Sequence, residues 1–373
     1  MQYRHVCLEA FGYTLPEEIV TTAEIEQRLA PLYQRLRLPE GRLELMTGIR
    51  ERRFFPRGAR PSEFSIQSAE KALRVAGIDR TKVGALVHGS VCRDYLEPAT
   101  ACGVHHQLGL PRKCLVYDVS NACLGLLNGV VQVANMIELG QIEAGLVVGT
   151  ESGRALVENT IATLNRDETL TRQTIKNAIA SLTIGSASCA MLLVHRRISR
   201  TGNLLTTAVA QANTDQHHLC QGGYGESGAA NDANGGLLMN TDSERLMQEG
   251  IATGVETFKG FLEESGWSSD ELDRTFCHQV GAAHRKLLLE SLDLDPGRDF
   301  ATLEWLGNTG SAALPVTMAI GLERGLVQPN EKIAMLGIGS GINCLMLAVQ
   351  WRLSLVASQL DDLESGAVNL AAK

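Results

Sequence analysis

Cys114-Leu-Val-Tyr-Asp-Val-Ser-Asn-Ala-Cys123-Leu-Gly125 passes from a short apolar run into a turn of small and polar residues, and an apolar helical run follows as far as Leu139. Leu115 to Val119 has the length of a strand, and Asn121-Ala-Cys-Leu-Gly125 is the tight turn that a strand-to-helix junction needs. The spacing therefore places Cys123 at a helix N-terminus. Unpaired amide N–H groups and the positive end of the helix dipole stabilise a thiolate there, drawing a thiol pKa from about 8.5 towards neutrality. Ala122 and Gly125 leave room for a substrate carbonyl, and the Cys123 amide can be aimed at an oxyanion.

Outward from this junction, apolar runs at Val83 to Val87, Leu146 to Val148, Ala190 to Val194 and Ile333 to Ile338 read as further strands. They alternate with helical stretches, among them Thr21 to Leu29, opened by a Thr21/Glu24 capping box, and Ser65 to Ala76, which stops before a glycine. That rhythm is α/β. A fixed offset of 190 residues lays Leu146-Val-Val-Gly-Thr-Glu151 on Leu336-Gly-Ile-Gly-Ser-Gly341, Leu115 to Cys123 on Trp305 to Ala313, Ser65 to Gly77 on Val255 to Trp267, and His88 on His278. One shift that matches several elements in order predicts two related halves, residues 1–200 carrying the cysteine and residues 201–373. Gln211 to Asp242, rich in Gly, Asn, Asp and His, reads as a long surface loop; Asn165 to Asn177 reads as a polar insertion, and nothing in the pattern gives the tail after Trp351 a role.

Composition narrows the function classes. With 44% hydrophobic and 20% charged residues in 373, the chain can bury a sizeable core, so disorder is excluded. A net charge of -8 without a basic run argues against nucleic acid as a partner. The N-terminal stretch lacks a cationic segment followed by a long apolar one, and Asn128, Gln132, Asn135 and Glu138 interrupt the most apolar run, so neither a leader nor a membrane span is expected. Nine cysteines without a CxxC pair fit reduced thiols and a cytoplasmic location. His217-His218-x-Cys220 and His105-His106 read as solvated loop residues, so no metal is called for.

Three further groups suit thioester chemistry. His278, after the strand-like Arg274 to Cys277, can polarise a carbonyl or accept a proton; Asn308, in Leu-Gly-Asn-Thr-Gly-Ser, offers an uncharged donor for an enolate oxygen. Glu97, in Arg-Asp-Tyr-Leu-Glu-Pro, is a candidate base for an α-carbon. Taken singly, each also suits a plainer role: a core histidine, a turn asparagine, a solvated glutamate.

The order Asn121-Ala-Cys123, His278-Gln279, Gly307-Asn308 and Gly337-Ile-Gly-Ser-Gly341 resembles the ketoacyl synthase III branch of the thiolase superfamily along nearly the whole chain. Ser90-Val-Cys-Arg-Asp-Tyr-Leu-Glu-Pro-Ala-Thr100, Asp118 to Leu124 and Leu336 to Cys344 are most similar to the OleA family, which joins two fatty acyl-CoA molecules head to head in long-chain olefin biosynthesis. The resemblance implies the five-layered α-β-α-β-α thiolase fold, a homodimer, and a Cys123, His278, Asn308 site. It implies that Glu97 is a base serving the partner subunit's site, and that the Ser340 and Cys123 N–H groups form the oxyanion hole. No cofactor is implied, since acyl-CoA or an acyl-carrier thioester is the substrate, and downstream enzymes would consume the product.

One departure concerns the carrier. The bacterial fatty-acid initiation enzymes of that branch have Trp and Arg before the Thr-Gly-Ile motif, where they bind the adenine end of CoA; here Met46 and aliphatic neighbours precede Thr47-Gly-Ile49. Thiolases fit less well, because Met335-Leu-Gly337 stands where their second catalytic cysteine would precede the C-terminal Gly-rich turn. The expected reaction is a non-decarboxylative Claisen condensation through a Cys123 thioester. Its alternatives are a decarboxylating synthase that uses a malonyl carrier, and a thioester hydrolase or acyl-transfer enzyme on the same scaffold.

Overall fold

The computed structural model describes residues 1–224 and 237–357. In the first half, β1 (Val6–Thr14) is followed by the small pair β2 (Glu18–Thr21) and β3 (Glu51–Phe54), then β4 (Val83–Gly89), β5 (Leu115–Val119), β6 (Ala144–Glu151) and β7 (Ala187–His195). The second half carries β8 (Leu204–Ala212), β9 (Cys220–Tyr224), β10 (Leu237–Thr241), β11 (Arg274–Cys277), β12 (Lys332–Gly339), β13 (Asn343–Gln350) and the short β14 (Val356–Ala357). Every apolar run read above as a strand is one.

Strand order shows the duplication. The first half runs β1-β7-β6-β4 with pairings antiparallel, antiparallel and parallel; the second runs β8-β13-β12-β11 with the same three pairings. The halves meet where Cys7 pairs with Leu204 and Gln2 bridges Thr207. β5 breaks the symmetry, lying parallel outside β4 with no twin among the described residues. The stretch that the 190-residue offset lays on β5 is instead the short helix Leu303–Leu306 followed by a loop, so that part of the alignment does not hold.

The helices are α1 (Thr22–Arg28), α2 (Ala30–Leu36), α3 (Arg42–Thr47), α4 (Pro61–Ala76), α5 (Thr100–Gln107), α6 (Gly125–Glu138), α7 (Arg154–Arg166), α8 (Ser243–Ser265), α9 (Ala282–Ser291), α10 (Leu303–Leu306) and α11 (Ala313–Glu323). Alternation along the strands distributes them into layers. On the first half, Ala85, Val87, Val147 and Met191 face a core shared with α6 and α11, while Leu86, Leu146, Val148 and Leu192 face one shared with α4 and α5. On the second half, Ile333, Met335 and Leu347 join the α6/α11 core, and Ala334, Leu336 and Met346 pack towards α8 and α9. The result is helix, sheet, helix, sheet, helix: the layered duplication of the thiolase fold. Strands covered on both faces need continuous apolar sequence, which is why Leu146-Val-Val148 does not alternate with polar residues; each such buried side chain contributes about 1.5–3 kcal/mol.

Thr21 caps α1 through the expected box with Glu24, and α4 and α8 each end on a left-handed glycine, Gly77 and Gly266. The Gln211 to Asp242 stretch is not a bare loop. Cys220–Tyr224 pairs antiparallel with Leu237–Thr241, so a hairpin leaves β8 and returns to α8. Residues 225–236 of that stretch lie outside the described residues. After Trp351 the chain crosses back, and β14 pairs parallel with β1 at Phe11 and Gly12.

Candidate active site

Cys123 lies between β5 and α6 on a turn in which Asn121 bridges Cys123 and Asn121 Nδ2 donates to Asn128 Oδ1 at 2.8 Å. Ala122 has φ 44°, a left-handed conformation that costs a non-glycine residue about 1–2 kcal/mol. Two glycines set the height of the turn. A Cβ on Gly89 would fall 2.6 Å from the Gly125 carbonyl, so the first turn of α6 rests directly on the end of β4.

Cys123 as a residue is half-buried. The amide N–H groups of Ser340 and of Cys123 itself lie close enough to the sulfur to pull its pKa down. Its electrostatics differ from the expectation raised by the helix N-terminus. Burial, reinforced by Cys220 and then Glu151, pushes the thiol up to about 12 against the pull of those two amides. Desolvation of a thiolate outweighs two hydrogen bonds. A shift in that direction favours the neutral thiol at rest.

His278 directly follows β11, where its N–H donates to the Leu336 carbonyl at 3.0 Å. Its ring is buried and both nitrogens lack a partner among the described residues. Burial, with a smaller push from His284, lowers its pKa to about 3, so the imidazole is neutral and can donate from one nitrogen while accepting at the other. Its neighbour Gln279 ties it to the next element: Oε1 accepts from the Thr302 and Leu303 N–H groups at 2.9 and 2.7 Å, and Nε2 donates to Thr317. Thr302 opens α10, which delivers Asn308.

Asn308 follows Gly307, at φ 67°, and is fixed by its N–H to the Thr183 carbonyl and by its own carbonyl accepting from Gly185. Its Oδ1 accepts from Gly310 at 3.0 Å, which leaves the Nδ2 donor for a ligand. The end of β12 links these groups. Leu124 packs on Gly337 and Gly339, the Cys123 nitrogen lies 3.6 Å from where a Gly339 Cβ would sit, and Leu336 pairs with the residue before His278. From the other side Ser311, just beyond Asn308, places its Oγ 2.9 Å from the carbonyl oxygen of Gly89, the residue under α6.

Glu97 stands apart. It is exposed, on the segment after β4, and among the described residues makes no hydrogen bond or ion pair that would hold it against Cys123 of its own chain. Gln279 and Glu151 were not proposed as site residues in the sequence, and Cys220, read there as a solvated loop residue, instead begins β9 and faces Cys123. Gln279 had a signal in its place beside His278; the other two reach the site through contacts remote in sequence.

The loop under Asn308 gives a direct test of packing. A Gly185 Cβ would fall 2.0 Å from the Leu306 carbonyl oxygen. Gly185→Ala is therefore expected to destabilise the fold by about 1–3 kcal/mol and to reduce turnover by displacing Asn308. Thermal melts and product formation check it; an unaltered melt would mean that the loop yields freely.

Residues 45–210 match the thiolase N-terminal domain, and 262–351 match the C-terminal domain of 3-oxoacyl-[acyl-carrier-protein] synthase III. An acyl-CoA:acyl-CoA alkyltransferase of Shewanella oneidensis is 41% identical over 94% of this chain and 100% of its own. Its counterpart in Xanthomonas campestris is 32% identical with the same coverage. A crystal structure of Xanthomonas campestris OleA superposes with a TM-score of 0.87 at 32% identity, covering 94% of this chain and 98% of that one. The chain belongs to the acyl-CoA:acyl-CoA alkyltransferase (OleA) family, in the ketoacyl synthase III branch of the thiolase superfamily.

Proposed function

We propose that this enzyme joins two fatty acyl-CoA molecules by non-decarboxylative Claisen condensation, with Cys123 carrying the first acyl group. The observation that carries this reading is a cysteine served by two amide donors at the meeting point of the elements bearing a neutral, unpartnered imidazole and a carboxamide. Because the resting thiol is neutral, His278 takes its proton as the sulfur attacks the first thioester, and the Cys123 and Ser340 N–H groups hold the oxyanion. CoA leaves with that proton. A second acyl-CoA then loses an α-proton to Glu97; the enolate oxygen is held by Asn308 Nδ2 and His278, and its carbon attacks the acyl-Cys123 carbonyl. The thiolate is expelled and reprotonated, leaving a β-ketoacyl thioester or, after hydrolysis, the acid.

A free carboxylate near pKa 4.3 is too weak a base for such a proton unless the site removes water from it and stabilises the enolate. An exposed Glu97 lacks that setting in one chain, which supports a homodimer in which it enters the partner's site. The exposed apolar side chains of Val91, Tyr95 and Leu96 beside it, and the outer edge of β5, unpaired among the described residues, support the same surface as the interface. We take residues 1–200 and 201–373 as the two halves. Nine free thiols support a reducing, cytoplasmic compartment.

Incubation with myristoyl-CoA, with and without malonyl-CoA, tests the reaction. The β-keto product carrying two myristoyl-derived chains is expected without malonyl-CoA. A product formed only when malonyl-CoA is present would make the enzyme a decarboxylating synthase, and free acid alone would make it a hydrolase.

A further inference from the structure

Glu151, the last residue of β6, is buried against the Asn308 turn and takes no part in the chemistry above. A Cβ on Gly310 would touch its Cγ at 3.0 Å. Its Oε1 lies 2.5 Å from Ser311 Oγ, and the Val91 and Ser311 N–H groups approach it at 3.3 and 3.4 Å. The same Ser311 Oγ lies 2.9 Å from the Gly89 carbonyl oxygen, which can only accept.

A serine hydroxyl has one proton to give. If Ser311 donates it to Gly89, its contact with Glu151 is a hydrogen bond only when the carboxyl carries a proton of its own. The other hydroxyl nearby does not alter this count, since Ser90 Oγ donates to the Thr150 carbonyl at 2.8 Å. The titratable groups that face Glu151 are Cys92, from the segment after β4, and Cys123, from the turn before α6. Neither is a cation, and among the described residues Glu151 has no ion pair.

We propose that Glu151 is a positioning residue of the condensing site, held as a neutral carboxylic acid that donates to Ser311 and so fixes the turn carrying Asn308. The proposal rests on the condensing reading above. A neutral acid also keeps a second negative charge away from an oxyanion and an enolate. Burial raises the Glu151 pKa, in the direction the proton count requires. Ionisation at alkaline pH would withdraw the donor and place a charge beside the reacting sulfur.

The test compares wild type, E151A and E151Q, following acylation of Cys123 by intact mass and condensation of myristoyl-CoA across pH. E151A is expected to lose condensation about tenfold or more, and E151Q to recover most of it, because an amide N–H replaces the acid O–H. Wild-type condensation should fall about tenfold per pH unit beyond the Glu151 ionisation, and E151Q should lack that decline. If E151Q melts like wild type yet stays as inactive as E151A, or keeps the alkaline decline, the proposal is overturned. Should E151Q not fold, infrared spectra of wild type in D2O decide: a carboxylic-acid carbonyl band at neutral pD is expected, and its absence overturns the proposal. A wild type that acylates but never condenses would sink the condensing reading, and with it the positioning role, while the infrared band still reports the proton.

Discussion

Cys123→Ala is expected to abolish both acylation and condensation, a loss of about 10⁴-fold or more, while the fold melts within about 1 kcal/mol of wild type. In the proposed mechanism the sulfur is the atom to which the first chain is bonded, and the oxyanion donors serve only a carbonyl attached there. Intact mass after incubation with myristoyl-CoA reads the result: one added acyl group on wild type, none on the variant. An adduct on the variant would move the nucleophile elsewhere, with Cys92 and Cys220 the first to examine. The resting electrostatics add a second readout. With the thiol pushed up to about 12 by burial and His278 held neutral, the rate of alkylation by iodoacetamide should climb about tenfold per pH unit through neutral and mildly alkaline pH. A plateau below pH ~7 would instead reveal a thiolate paired with an imidazolium, and would mean that the helix terminus outweighs desolvation.

What the sequence made legible was whatever depends on neighbours in the chain. Leu115 to Val119 reads as a strand because its length and apolar content suffice, and Asn121-Ala-Cys123 reads as a turn because of its small residues. The Thr21/Glu24 box spans four residues and is found as drawn. Contacts between distant segments were not legible. The hairpin of Cys220–Tyr224 with Leu237–Thr241 lay hidden in a glycine-rich stretch whose composition signals turns and says nothing of pairing. The Cys123 pKa went the other way for the same reason: a helix terminus can be read locally, whereas the protein packed over the sulfur cannot. Glu151 binds Val91 and Ser311 across 60 and 160 residues, so it passed as the polar end of a strand. The duplicated offset matched β6 with β12 and failed at β5, because an edge strand can be replaced by α10 without disturbing the strands between.

Glu97→Ala should separate the two half-reactions. In the proposed mechanism acylation requires only Cys123, His278 and the amide donors, so the acyl-enzyme should form at the wild-type rate, whereas condensation should fall by about 10²–10⁴-fold with the loss of its base. The exposed position of Glu97 makes a further demand, because a carboxylate that acts in the partner's site must work in trans. Mixing Glu97→Ala and Cys123→Ala subunits by co-expression distinguishes the cases. Each parent variant is inactive as a homodimer, but a mixed dimer contains one site with Cys123 intact and Glu97 supplied by the partner. Random pairing of equal amounts should then restore about a quarter of wild-type turnover, since about half the dimers are mixed and each has one complete site. If Glu97 instead serves its own chain, every site in the mixture lacks either nucleophile or base and no activity returns. Condensation by Glu97→Ala alone at the wild-type rate would remove Glu97 from the mechanism altogether.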